Sequence, residues 1–94
     1  MTAAQAAYRA GMIVAELDSK FGLTAGAVSN ACTLPDRLPV VLRHVWPHAV
    51  ADRAVAALLD GFDPPAVPYA AAERGAFWTG FYHRKAGVTD APQA

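Results

Sequence analysis

The sequence predicts an all-α protein, a compact bundle of four to five helices that forms a single domain over residues 1–94. Apolar residues recur at helical spacing in several segments, and proline or glycine separates those segments. No segment alternates apolar and polar residues for long enough to indicate a strand. The composition, 54% hydrophobic and 17% charged, is that of a folded chain and excludes an intrinsically disordered one.

The first helix is predicted between Thr2 and Gly22. Thr2 and Gln5 have the spacing of a capping box, and Gly22 supplies a stop. Glu16 and Lys20 lie on the polar side, four residues apart in the order that favours an ion pair. An apolar stripe occupies the other side, and further apolar residues extend it, so we expect the helix to be covered from two directions. The stripe consists of Ala6, Ala10, Ile13, Val14, Leu17 and Phe21.

Three shorter helices are expected in the middle of the chain. Thr24 can cap a second helix that ends near Cys32. Pro35 suits the first turn of a third helix, because its missing amide proton is not needed there. Pro47 either kinks this third helix or opens a fourth, which continues to a stop at Gly61.

A connector and a last helix complete the predicted fold. Three prolines within residues 62–68 exclude a helix there and predict a stiff, extended segment. The last helix is expected over about residues 69–86 and ends at Gly87. Residues 88–94 are expected to form a frayed tail.

The last helix carries the most distinctive segment, GAFWTGFYHR at residues 75–84. Its four rings lie on one broad arc of a helix, and small residues occupy the opposite arc. Glycine within a helix costs about 1 kcal/mol relative to alanine, so Gly75 and Gly80 predict a close approach by another backbone. The aromatic arc is either core or a contact surface for a partner protein. For the second interpretation the candidate partner-binding residues are Arg74, Trp78, Phe81, Tyr82, Arg84 and Lys85.

The charge balance argues against autonomous nucleic-acid binding. Eight Lys and Arg residues are matched by eight Asp and Glu residues, whereas proteins that grip phosphate backbones usually carry a basic excess. A weak or shared contact with nucleic acid remains a hypothesis, because basic residues lie near aromatic rings on which bases can stack. Scattered surface residues are the alternative interpretation. The candidate contacts are Arg37, Arg43, Arg84 and Lys85.

No pattern indicates catalysis, a metal site or a cofactor. Cys32 is the only cysteine, which excludes an internal disulfide and a cysteine-rich zinc site and fits a reducing, cytoplasmic setting. His44 and His48 are four residues apart, but Pro47 lies between them and disturbs the spacing needed for two metal ligands. No phosphate-binding glycine loop or nucleophile elbow is present. No apolar stretch is long enough to cross a bilayer, so no membrane association is expected.

Three segments, in order along the chain, carry a resemblance to a known family. The first, residues 8–17, places Tyr8 and Gly11 before an apolar run and a glutamate. The second is Ser29-Asn30-Ala31-Cys32-Thr33-Leu34-Pro35, followed by Pro39 and Leu42-Arg43. The third is Gly75, Phe77 and the run Gly80-Phe81-Tyr82-His83-Arg84. Together they resemble the C-terminal helical domain of the large subunit of type I-C CRISPR Cascade, a domain that is also made separately as the small subunit.

The resemblance implies a helical bundle that lies along the belly of Cascade and helps to hold unwound DNA. Compared with the family, this chain is shortened before its second and third segments, where the family carries basic residues that contact nucleic acid. The first functional hypothesis is therefore an anti-CRISPR protein of viral or mobile-element origin that binds Cascade and blocks target-DNA recognition by occupying a subunit or DNA site. The alternatives are a genuine small subunit that stabilises unwound target DNA, and an unrelated small helical adaptor or toxin–antitoxin partner.

Overall fold

Six α-helices and one turn of 3₁₀ helix make up the fold in the computed structural model, which describes residues 2–87. The all-α prediction is confirmed. The structure has six helices because the segment predicted as two is divided into three short ones. The helices are α1 Ala3–Phe21, α2 Ala25–Thr33, α3 Leu38–Val41, α4 Trp46–Ala49, α5 Arg53–Leu59 and α6 Ala71–Lys85, with the 3₁₀ turn Pro35–Arg37 before α3.

Helix α1 begins and ends as the sequence predicts. The Thr2 hydroxyl accepts a hydrogen bond from the Gln5 amide at 3.1 Å, and the Gln5 side chain accepts one from the Thr2 amide at 2.8 Å. These two bonds form the predicted capping box. At the other end Gly22 adopts a φ of 69°, a conformation that favours glycine. The Asp18 carboxylate then accepts from the Leu23 amide at 2.8 Å and closes the turn.

Helix α1 is the central element of the fold. It is covered on more than one side, as predicted, by α6 and α5 and to a smaller extent by α2. A helix surrounded in this way must be apolar over most of its circumference. Its buried residues are Ala7, Tyr8, Ala10, Gly11, Met12, Ile13, Val14, Ala15 and Leu17.

Helices α1 and α6 cross with their backbones in direct contact. A Cβ atom added to Gly11 would lie 1.9 Å from the Phe77 carbonyl oxygen, and one added to Gly80 would lie 2.0 Å from the Tyr8 carbonyl oxygen. The predicted close approach is therefore confirmed at Gly80. At Gly75 the prediction was wrong, because this glycine is exposed and no neighbouring atom lies within 4 Å of the position of its Cβ.

The ion pairs beyond the crossing give the relative direction of α1 and α6. The backbones meet around Gly11 and Gly80, and Asp18, toward the carboxyl end of α1, pairs with Lys85, toward the carboxyl end of α6. The two helices therefore run in the same direction. Since parallel neighbours cannot be joined by a short turn, the segment between them must return across the fold.

Helix α5 supplies part of that return and runs antiparallel to α1. At its start, Asp52 accepts hydrogen bonds from the Ala54 and Val55 amides at 2.9 and 3.2 Å and also receives Lys20 Nζ of α1 at 2.7 Å. The Glu16–Lys20 ion pair expected from the sequence does not form. Glu16 instead pairs with Arg84 of α6 at 3.0 Å.

Arg9 of α1 fixes the opposite end of α5. Its guanidinium donates to the Leu58 carbonyl oxygen at 2.6 Å, to that of Ala57 at 3.3 Å, and to that of Asp60. The carbonyl oxygens at the end of a helix find no N–H donor within the helix itself, so they need a donor from elsewhere. Arg9 therefore acts as a C-terminal cap for α5.

Prolines divide the middle of the chain more finely than predicted. Thr24 caps α2 by accepting from the Ala27 amide at 3.1 Å, as expected. Pro39 and Pro47 each lie in the first turn of a separate four-residue helix, α3 and α4. Residues 62–68 contain no helix, as predicted.

The predicted frayed tail, residues 88–94, lies outside the described residues. None of the helices within residues 2–87 combines the length and apolar character that a bilayer crossing requires.

Candidate protein-binding groove

Helix α6 positions the aromatic segment that the sequence singles out. Its first turn is closed by the Glu73 carboxylate, which accepts from the Ala70 amide at 2.7 Å. The crossing at Gly80 then fixes the rotation of the helix about its axis. Phe77 and Phe81 face the core, with 0% and 7% of their surface exposed, whereas Tyr82 is 62% exposed. The aromatic arc therefore serves as core on one edge and as surface on the other.

The rings form a continuous cluster from the core to the surface. Trp78, which is half-buried, meets Phe77 edge to face at 5.4 Å between ring centroids and Phe81 at 5.6 Å. On its outer side Trp78 stacks with Tyr82, with the rings 28° from parallel and 6.1 Å apart. Edge-to-face and offset-stacked pairs are the favoured geometries for aromatic rings. The exposed Tyr82 ring thus packs against Trp78.

A groove of about 310 Å³ lies between this ring cluster and α2. Most of its walls are apolar, and the exposed Tyr82 ring forms one rim. Its largely apolar, aromatic lining is typical of surfaces that receive a side chain from a partner. The groove is lined by Asp18, Leu23, Ala25, Val28, Ser29, Trp78, Phe81 and Tyr82.

The basic cluster at the end of α6 is neutralised by acids of α1. Arg84 pairs with Glu16 at 3.0 Å, and Lys85 Nζ pairs with Asp18 at 2.5 Å. Lys85 also lies 5.6 Å from the centre of the Phe81 ring. The hydrogen bond from Lys85, followed by that from the Leu23 amide, lowers the pKa of Asp18 from its ordinary value. Two of the cations predicted to contact a partner or nucleic acid, Arg84 and Lys85, are therefore already engaged within the chain.

His83, also in the last turn of α6, contacts α1 as well. A hydrogen bond of 2.8 Å joins His83 Nδ1 and the Tyr8 hydroxyl, and the two rings meet edge to face at 5.6 Å. Tyr8 is 2% exposed, so this bond lies at the edge of the core. The end of α6 is consequently fixed to α1 by three neighbouring side chains.

The remaining basic candidates lie away from the groove. Arg74 donates to the Tyr69 carbonyl oxygen at 3.0 Å, near the start of α6. Arg37 and Arg43 are exposed in the middle segment, and within residues 2–87 neither forms an ion pair. The structure thus brings Trp78, Phe81, Tyr82 and Lys85 to one place and separates Arg74, Arg37 and Arg43 from it.

Sequence reasoning missed the second wall of the groove. Val28 and Ser29 come from α2, whose packing beside α6 follows from tertiary structure that no local pattern specifies. Asp18 was not predicted either, although its position in the last turn of α1 was known. The available signal was a carboxylate two residues after Glu16 and five before Leu23, a spacing that is too common to identify a site.

The side chains considered for chemistry do not converge. Cys32 is 2% exposed, and burial raises the pKa of its thiol. His44 and His48 are exposed, and the His48 ring lies 6.4 Å from that of Phe21. Among the residues that the structure describes, no three His, Cys, Asp or Glu side chains are grouped so that they could hold a metal ion.

The buried Tyr69 hydroxyl is the one polar side-chain atom, among the described residues, that is enclosed without a hydrogen-bond partner. Burial raises the pKa of Tyr69 to about 12, with smaller contributions from Cys32 and Glu73. A phenol with so high a pKa stays neutral, and its ring acts as part of the core.

Comparison with protein-family models, curated proteins and solved structures finds no match to this chain.

Proposed function

We propose that this chain is an anti-CRISPR protein that binds the type I-C Cascade complex and blocks its recognition of target DNA. The family and the partner in this proposal rest on the resemblance of residues 8–85 to the Cascade small subunit. Within that resemblance, the structural observation that supports an inhibitor is that Arg84 and Lys85, at the end of α6, are both paired with acids of α1. Such a role would be carried out in the cytoplasm of the host cell.

The ion pairs of α6 favour a protein partner over a DNA contact. Arg84 and Lys85 contact Glu16 and Asp18, so a phosphate would have to displace an acid that already neutralises each cation. Binding to a phosphate backbone gains its free energy from counterion release by uncompensated Lys and Arg. Trp78 and Tyr82, in contrast, offer stacked aromatic area beside an apolar groove. Tyrosine and tryptophan are enriched at the centres of protein interfaces.

One observation favours the second candidate, a genuine small subunit. Arg37 and Arg43 are exposed and form no ion pair within residues 2–87, so both cations are accessible to a DNA strand held on that side. On this hypothesis the groove docks the chain onto Cascade, and the arginines of the middle segment contact the displaced strand.

Mixing the purified protein with type I-C Cascade tests both hypotheses. For the inhibitor we expect co-elution in size-exclusion chromatography together with reduced binding of a target duplex in a gel-shift assay. Co-elution without loss of DNA binding would instead support the small subunit, for which Arg43→Glu should weaken DNA capture and flatten its salt dependence. Absence of co-elution would contradict both and leave the unrelated helical adaptor.

A matched pair of variants locates the interface. Tyr82→Ala removes an exposed ring that lines the groove, and Val67→Ala removes an exposed side chain outside it; the parent residues are 62% and 64% exposed. Truncation of an aromatic residue at an interface hot spot costs about 2 kcal/mol or more of binding free energy. We expect Tyr82→Ala to weaken the complex and Val67→Ala to leave it unchanged. Equal effects of the two variants would place the interface elsewhere.

A further inference from the structure

The groove between α2 and α6 contains a single charged residue, Asp18, among the described residues that line it. Both carboxylate oxygens of Asp18 are occupied. Oδ1 accepts from the Leu23 amide at 2.8 Å, and Oδ2 pairs with Lys85 Nζ at 2.5 Å. The other lining residues are apolar, apart from the hydroxyls of Ser29 and Tyr82 and the indole N–H of Trp78. The groove is therefore close to electrically neutral although a carboxylate lines it.

This charge arrangement excludes two classes of occupant. A cationic side chain would have to displace Lys85 to reach the Asp18 carboxylate, and this exchange gains no additional ion pair. An anion, whether a phosphate or an acidic side chain, would lose part of its hydration in the groove and would find no unpaired cation there, because Lys85 is already paired with Asp18. An uncharged apolar side chain meets neither penalty and can pack against the Trp78 and Tyr82 rings.

Building on the protein-binding role proposed above, we propose that the groove receives an uncharged aliphatic or aromatic side chain of the partner protein, and that Lys85 determines this selectivity by neutralising Asp18. The ammonium group of Lys85 lies 5.6 Å from the centre of the Phe81 ring, and Lys85 does not belong to the residues that line the groove. Lys85 therefore acts on the ligand through Asp18 and does not itself contact the ligand.

Two fluorescent dyes that differ by one charge test the proposal on the full chain. N-phenyl-1-naphthylamine is neutral, and 8-anilinonaphthalene-1-sulfonate carries the same ring system with one sulfonate. We expect the neutral dye to bind more tightly than the sulfonated dye, as measured by fluorescence titration. Tyr82→Ala should weaken binding of the neutral dye about two- to tenfold, because one aromatic contact is lost. Val67→Ala, outside the groove, should leave it unchanged.

Charge variants separate the role of Lys85 from simple hydrophobic binding. Asp18→Asn leaves Lys85 uncompensated while its amide oxygen can still accept from the Leu23 amide, so the sulfonated dye should gain affinity relative to the neutral one. Lys85→Gln leaves Asp18 uncompensated and should shift the ratio in the opposite direction. Circular dichroism confirms that each variant is folded before it is titrated.

Two results would overturn the inference. The first is equal or tighter binding of the sulfonated dye by the unsubstituted protein, and the second is unchanged binding of the neutral dye to Tyr82→Ala. Failure of the proposed function looks different. If the dyes behave as expected and Cascade does not bind, the partner is wrong and the chemistry of the groove stands. If Cascade binds Tyr82→Ala normally and neither dye binds in the groove, the partner stands and the groove assignment fails.

Discussion

Replacing Gly80 with alanine tests the crossing on which the whole arrangement depends. At most helix positions this substitution stabilises, because glycine is about 1 kcal/mol less favourable than alanine. At Gly80 the new Cβ would lie 2.0 Å from the Tyr8 carbonyl oxygen, whereas ordinary contacts begin at 3.4 Å. Helices α1 and α6 would have to separate by about 1.4 Å, the difference between these distances, because the blocking atom is backbone and has no rotamer to change. Overpacking of this kind typically costs about 1–3 kcal/mol.

Gly75→Ala supplies the matched control within the same helix. Gly75 is exposed, and no atom lies within 4 Å of the position of its Cβ, so only the gain in helix propensity remains. We expect Gly75→Ala to raise the free energy of unfolding by about 0.5–1 kcal/mol and Gly80→Ala to lower it. Urea unfolding monitored by circular dichroism measures both. Equal stabilisation by the two substitutions would refute the close crossing and, with it, the orientation of the aromatic rings.

Three further predictions concern side chains that link the helices or lie in the core. Arg9→Met should lower the free energy of unfolding by about 2 kcal/mol, because the carbonyls at the end of α5 lose a charged donor; faster amide exchange over residues 53–60 would localise the loss. Tyr69→Phe should leave stability unchanged or raise it by about 1–3 kcal/mol, because the hydroxyl is buried without a partner, and a clear loss in urea unfolding would reveal a hydrogen bond there. Asp18 and Asp52 have pKa values lowered from 3.8 by Lys85 and Lys20. Their ion pairs should therefore stabilise the fold fully above about pH 4 and lose this effect as the pH falls through the native pKa values. An Asp18→Asn/Asp52→Asn variant should accordingly show a flatter dependence of the free energy of unfolding on pH.

Local signals predicted the helix ends well, because capping involves residues three or four apart. The Thr2–Gln5 box and the Thr24 cap both form as the sequence indicates. The middle segment was less predictable. Pro39 and Pro47 are compatible with one bent helix or with two short ones, and the choice depends on what packs against them. Asp52 carries a capping signal that the sequence reasoning did not use, and it begins α5 after the break.

The glycines show where pattern reasoning reaches its limit. Gly75 and Gly80 lie in the same helix and gave the same prediction of close backbone approach, yet only Gly80 faces α1. Helical spacing fixes the angle between the two positions, and it does not say which of them faces a neighbour. The partner glycine, Gly11, lies 69 residues earlier than Gly80, and no local rule connects two positions so far apart.

The partners of the last residues of α6 are similarly distant in sequence, and for this reason the sequence alone shows the end of α6 as basic. His83, Arg84 and Lys85 follow one another, and each finds its partner on α1 only because the two helices run parallel in this register. These contacts attach α6 to the core and at the same time remove Arg84 and Lys85 from the set of cations that a phosphate could use. What the helix leaves accessible is Tyr82, stacked on Trp78 beside the groove. The register that stabilises the fold thus supports the proposed recognition through aromatic contact rather than through charge.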